Sequence, residues 1–150
     1  MRVASSIDLP CLPTEAWDVL TRWERQADWM LDADRVEVRS DQRSGVGVRV
    51  DVQTRLFQVP VFTETLEVVA WEPPARLEIV HGPPVLGRGT WTLEPTLGGT
   101  RFTWVEDVEL GVPFLGEVAA LAFATVARWL IGRSQRALKA LLVASGPVRD

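Results

Sequence analysis

Apolar and polar residues alternate through most of the first 110 positions, after which the pattern takes a helical period. Val3, Ser5, Ile7 and Leu9 alternate with Ala4, Ser6 and Asp8, the mark of a half-buried strand. Pro13 with Thr14 and Glu15 predicts the start of a helix through Trp17 and Leu20, and a second short helix is expected over 24–30. Six alternating segments follow, near 34–40, 46–55, 61–71, 76–82, 87–95 and 100–110, with the short turns of an antiparallel meander. From Pro113 to Ser145 the spacing predicts one long helix, opened by Gly111-Val112-Pro113 and stopped by Gly146-Pro147. Such a helix is roughly 50 Å long at 1.5 Å per residue, more than a small core needs, so it is expected to lie across a large sheet.

The turns give testable registers. Pairing Trp71 with Arg76 places Leu66 opposite His81. Pairing Pro95 with Thr100 places Trp91 opposite Trp104 and Gly89 opposite Glu106, and pairing Ser40 with Val46 places Val38 opposite Val48. Each register collects apolar residues on one face, as a sheet with one buried side requires. That inner face is expected to carry Val36, Val38, Val48, Val50, Val52, Phe62, Leu66, Val68, Leu77, Ile79, Trp91, Leu93, Phe102 and Trp104. On the long helix Leu115, Val118, Ala119, Ala122, Val126, Trp129 and Leu130 form one stripe. After Gly132 it passes to Ser134, Ala137, Leu138 and Leu141. The small residues in this stripe leave space beneath the helix.

The order strand, two helices, six-strand meander, long helix is that of the helix-grip fold, and the chain resembles the SRPBCC (START-like) superfamily, especially its polyketide cyclase/dehydratase-type branch. The residues carrying the resemblance are Leu12-Pro13-Thr14-Glu15-Ala16-Trp17, Trp71-Glu72-Pro73-Pro74-Ala75-Arg76-Leu77, Gly89-Thr90-Trp91-Thr92-Leu93-Glu94-Pro95 and Gly99-Thr100-Arg101-Phe102-Thr103-Trp104. It covers essentially the whole chain, read as a single domain over 1–150. It implies an α+β fold in which a seven-stranded curved antiparallel sheet wraps the C-terminal helix around an apolar cavity. Members of the superfamily include aromatase/cyclases, lipid and sterol carriers, quinone-binding proteins and hormone receptors.

Composition narrows the chemistry. The net charge of −4 and the lack of a basic run with interleaved aromatics argue against a nucleic-acid partner. Cys11 and His81 are the only residues of their types, so no internal disulfide and none of the usual zinc ligand sets can be built, and neither a metal nor another cofactor is expected. Cys11 lacks a patterned base, which disfavours a nucleophile, and one His without a nucleophile motif gives a Ser-His-Asp hydrolase little support. Neither a signal-peptide core nor a bilayer-length apolar run is legible, and a cytoplasmic location is expected.

Three ionisable residues interrupt the inner face: Glu64, His81 and Glu106. The register sets His81 and Glu106 two strands apart, about 10 Å, with Gly89 between them and room for a ligand group or a water. Burying such groups costs several kcal/mol unless they are paired. His81 backed by Glu64 or Glu106 could transfer a proton in an aldol cyclisation or dehydration, or the cluster could orient a ligand carbonyl or hydroxyl. Alternatively it is a water-filled polar rim, or a break in the alternation points one of the three outward.

Leu56, Phe57, Val59, Val85, Leu86 and Phe114 share one end of the sheet and are expected to form a cavity mouth, with Phe57, Val85, Leu86 and Phe114 at its rim. Phe62, Leu66, Ile79, Trp91, Trp104, Leu115, Ala122 and Trp129 are the expected ligand-contacting residues. Binding or carriage of a small hydrophobic or aromatic molecule is the leading function. A cyclase/dehydratase-like enzyme is the alternative, followed by an accessory module docking its apolar end on a membrane or in a homodimer. Arg133 lies on the helix flank and is read as solvated.

Overall fold

The computed structural model describes residues 1–110 and 116–146. Seven strands run in the order β1-β7-β6-β5-β4-β3-β2, all neighbours antiparallel. They are β1 (Arg2–Leu9), β2 (Ala33–Val38), β3 (Arg49–Leu56), β4 (Val59–Glu72), β5 (Arg76–His81), β6 (Val85–Thr96) and β7 (Gly99–Leu110). The long helix α2 covers Glu117–Ser145, roughly 44 Å at 1.5 Å per residue. Its expected start at Pro113 lies outside the described residues, as do the ligand-contact assignment of Leu115 and the mouth assignment of Phe114.

Helix α1 (Pro13–Leu20) begins with Pro13 at its first position, and Glu15 accepts a hydrogen bond from the Leu12 N–H at 3.2 Å. The second short helix is a 3₁₀ segment, Trp23–Asp28, rather than an α-helix over 24–30. Gln26 explains part of the difference, because its buried amide donates back to the Leu20 carbonyl at 2.8 Å and pins the segment against α1. Trp17 and Trp23 pack on Trp71 at ring-centroid distances of 5.0 and 6.2 Å. Trp29 meets Trp91 and Trp104 at 5.9 and 6.1 Å. These aromatic contacts fasten the helical pair to the sheet.

Every residue expected on the inner face is buried or half-buried. The pairs Trp91↔Trp104, Gly89↔Glu106 and Leu66↔His81 form as expected. Two turn registers differ. Trp71 pairs with Leu77 rather than Arg76, and an irregularity between Val68 and Ala70 absorbs the extra residue, restoring Leu66↔His81. Val38 pairs with Val50 rather than Val48, because the β2–β3 connection is longer than a tight turn. That shift of two keeps both side chains on the same face. At the start of β6, Gly87 (φ +135°) passes so close to β7 that a Cβ would lie 2.1 Å from the Asp107 carbonyl oxygen. Only glycine fits there.

The two ends of α2 are held differently. Ile131, Ser134, Gln135 and Leu138 are buried. The Gln135 side chain accepts from Ser5 Oγ at 2.7 Å and donates to the Ser5 carbonyl at 3.0 Å, while Ser134 Oγ accepts from the Leu31 N–H at 3.1 Å. The preceding turns place Phe123, Val126, Ala127 and Leu130 over a cavity. The expected stripe is therefore rotated, and Trp129 points away from the sheet, 48% exposed, with the Arg133 guanidinium 5.2 Å from its ring centroid. Trp129 does not border the cavity, and Arg133 is at the surface as expected.

Candidate functional site

Two adjoining chambers lie on the inner face of the sheet. The outer, about 450 Å³, runs beneath α2 and is walled by Phe62, Val85, Trp104, Val108, Phe123 and Ile131 among others. The inner, about 90 Å³, reaches Leu66, Leu77, Ile79 and Trp91. Asp32, Thr54, Glu64, His81, Trp104 and Glu106 border both chambers, so the polar cluster forms the partition between them.

Strand geometry builds that partition. His81 closes β5, Glu64 lies diagonally across from it on β4, and Glu106 stands on β7 beyond the intervening β6. The expected gap between His81 and Glu106 is filled by the Glu106 side chain itself. His81 Nε2 lies 2.9 Å from Glu106 Oε2, and His81 Nδ1 lies 3.0 Å from Glu64 Oε2. The other Glu106 oxygen accepts from Trp104 Nε1 at 2.6 Å. This reach across β6 depends on Gly89, where a Cβ would meet the two Glu106 oxygens at 2.9 and 3.0 Å and Ile79 Cδ1 at 3.1 Å. We expect Gly89→Ala to push the flexible carboxylate aside, lower stability by about 1–3 kcal/mol through a lost charged hydrogen bond, and lower the His81 pKa in an NMR titration. An unchanged imidazole titration would show that Gly89 does not govern this contact.

Burial is the largest influence on His81 and favours its neutral form. The hydrogen bonds to Glu106 and Glu64, with their charges, outweigh it and raise the pKa from 6.5 to about 10. A pKa raised to about 10 favours the imidazolium at neutral pH, the form that donates from both nitrogens and has no lone pair to act as a base. Asp32, absent from the sequence-based candidates, is the fourth member. Burial first, and then Glu106 and Glu64, push its carboxyl pKa upward. An acid isolated between Leu31 and Ala33 in an apolar run is the only sequence signal for it.

The other assigned residues divide. Phe62, Trp104 and Ala122 line the outer chamber, whereas Leu66, Ile79, Trp91 and Trp104 line the inner. Of the assigned mouth, Val85 is a buried wall residue (7% exposed), because it belongs to β6 with its side chain turned inward. Leu86, its outward neighbour, is 46% exposed and outside the lining. Phe57 sits at the tip of the Phe57–Gln58 turn, 74% exposed and likewise outside the lining, while Leu56 and Val61 border the cavity. Burial, followed by the charge of Glu15, pushes the Cys11 thiol pKa up, which suppresses the reactive thiolate. Among the described residues, no group of three His, Cys, Asp or Glu side chains is arranged to hold a metal ion, and no helix is long and apolar enough to cross a membrane.

A curved antiparallel sheet closed over a cavity by a long C-terminal helix defines the helix-grip class. Over residues 1–143 the chain matches the family described as polyketide cyclase / dehydrase and lipid transport, and it belongs to that family. No curated protein matches the sequence. Among solved structures, TTHA0849 from Thermus thermophilus superposes with a TM-score of 0.84 at 17% identity, covering 98% of this chain and 100% of that one. A conserved protein from Geobacillus kaustophilus gives 0.75 at 19% identity, covering 97% of each chain. The di-domain ARO/CYC StfQ of the steffimycin biosynthetic pathway gives 0.77 at 15% identity, covering 96% of this chain and 51% of StfQ. At these identities the likeness establishes the fold alone.

Proposed function

We propose that the protein binds and carries a small hydrophobic or aromatic molecule in the outer chamber between sheet and α2. The observation carrying this reading is a cavity of about 450 Å³ walled mainly by apolar side chains, with its polar groups gathered at the partition and Arg55. It has the size and character of a small-molecule site. The polar partition at its inner end supplies orientation.

The test is uptake of 1-aminoanthracene, read by its fluorescence. Ala127→Trp is expected to weaken uptake at least tenfold by filling the chamber from the helix side, without a comparable drop in thermal stability. Full-affinity uptake by a folded Ala127→Trp protein would place the site elsewhere.

Membership of a family that includes cyclases supports a second reading, an enzyme acting on a polyketide-like substrate with Glu64, His81 and Glu106 at the reacting end. The raised pKa of His81, held between two carboxylates, weighs against its serving as the base. Turnover of a β-polyketone by the wild type, abolished in His81→Ala with binding retained, would make the enzyme the correct reading. Liposome or dimer contact through Leu56, Phe57, Val59 and Leu86 is the third reading. Loss of such binding in Phe57→Glu would support it.

A further inference from the structure

Asp32 occupies the turn before β2, held from both sides. Its carbonyl accepts from the Arg55 N–H at 2.8 Å, and the N–H of Leu31 donates to Ser134 Oγ on α2. This rigid turn directs the side chain to the partition, where it borders both chambers. Among the described residues its half-buried carboxyl has no side-chain hydrogen-bond partner, only its own main chain. Every neighbouring charge already has a partner: Glu64 and Glu106 share His81, and Arg55 is turned toward Asp34 at 3.4 Å and the Leu31 carbonyl at 3.0 Å.

The partition already carries excess negative charge without Asp32. Two carboxylates, Glu64 and Glu106, share one cation, His81, and Arg55 is engaged by Asp34. A third carboxylate charge would stand uncompensated against an apolar cavity, at a cost of several kcal/mol. Partial enclosure and the two glutamates push its carboxyl toward the neutral acid, against the pull of its own main chain and Arg55, and the neutral acid presents one O–H donor. Bordering both chambers with no side-chain partner, that group is open to an acceptor from whatever enters the cavity.

We infer that Asp32 is the recognition group of the cavity, donating a hydrogen bond to a neutral oxygen acceptor, a carbonyl or hydroxyl, carried by an otherwise apolar ligand. The inference rests on the carriage reading and assigns the chemical class of its ligand. A protonated amine fits less well, because it would require the ionised form of Asp32.

Three probes of one shape separate the outcomes: fluorene, 9-fluorenone and 9-aminofluorene, titrated calorimetrically against the intact chain at neutral pH. The wild type is expected to take fluorenone about tenfold more tightly than fluorene, the scale of one net hydrogen bond. Asp32→Asn, a neutral side chain that still donates, keeps that ratio, and Asp32→Leu brings it close to one. Fluorene uptake by Asp32→Leu shows that its cavity is formed, and if that variant does not fold, the Asp32→Asn ratio decides alone. Equal affinities in the wild type, loss of the ratio in Asp32→Asn or its survival in Asp32→Leu overturns the assignment of Asp32 while leaving carriage standing. Preference for 9-aminofluorene overturns it in favour of a cation site. Failure of all three probes to bind the wild type overturns the carriage reading and the inference together.

Discussion

Replacing His81 by alanine is expected to destabilise the protein by about 3–5 kcal/mol, the scale seen when one partner of a buried ionic cluster is removed. The imidazolium is the shared partner of Glu64 and Glu106, and all three side chains are at most 15% exposed. Without it, two carboxylates face each other across a cavity with apolar walls. One must take up a proton or draw water into the partition. Total stabilities of small proteins are about 5–15 kcal/mol, so the loss is a large fraction of the whole. Urea denaturation at pH 7 measures it. Adding Glu64→Gln and Glu106→Gln to His81→Ala should recover part of the loss, because the stranded charges disappear with the cation. A cost below about 1 kcal/mol would mean that the cluster is solvated and contributes little.

The second large effect is a loss of stability on the alkaline side. His81 titrates at 6.5 when unperturbed and at about 10 in the folded chain. A raised folded pKa makes the native state the tighter proton binder, so its contribution is fully present below pH 6.5 and is lost as pH rises through about 10. Asp32 works in the same direction. Its raised pKa makes the folded state hold a proton that the unfolded chain releases above its ordinary value near 4, so stability again falls as pH rises. Other sources are few, because the chain has no tyrosine and a single lysine, while Cys11, its thiol pKa raised by burial, contributes in the same direction. Few other groups titrate between about pH 8 and 11. Chemical denaturation from pH 6 to 10.5 is expected to show a decline of several kcal/mol, largely absent in His81→Ala. A flat profile, or one shared by that variant, would remove His81 as the cause. Below about pH 5 a different and smaller limb is expected. The Thr65 and Arg39 bonds to Asp51, and the Arg43 bond to Glu24, hold those surface carboxyls low.

The register of the sheet was legible because alternation has a period of two, and errors of two residues conserve the face. Val38 faces the core whether it pairs with Val48 or Val50. The mistaken partner of Trp71 is corrected by the irregularity at Val69 before the register reaches His81. The phase of α2 was harder to read. Ala119, Ala120, Ala122, Ala124 and Ala127 give little contrast between faces, so the larger Trp129 drew the stripe toward itself. Asp32 lies in a connection, where no periodicity says which way a side chain turns. The closure between His81 and Glu106 is a matter of side-chain reach over Gly89, which backbone spacing does not encode.

The unequal fastening of α2 has a thermodynamic consequence. Its C-terminal half is tied to β1 by the Ser5–Gln135 bonds, whereas Phe123, Val126 and Ala127 rest over the cavity and depend for contact on what it contains. Under the proposed carriage, a bound molecule would complete the core, and folding and occupancy would become linked equilibria. At a free ligand concentration one hundred times Kd, that linkage adds about 2.7 kcal/mol to the folded state. The cellular lifetime of the protein would then follow the supply of its ligand, and the first turns of α2 would register that supply as slowed amide exchange.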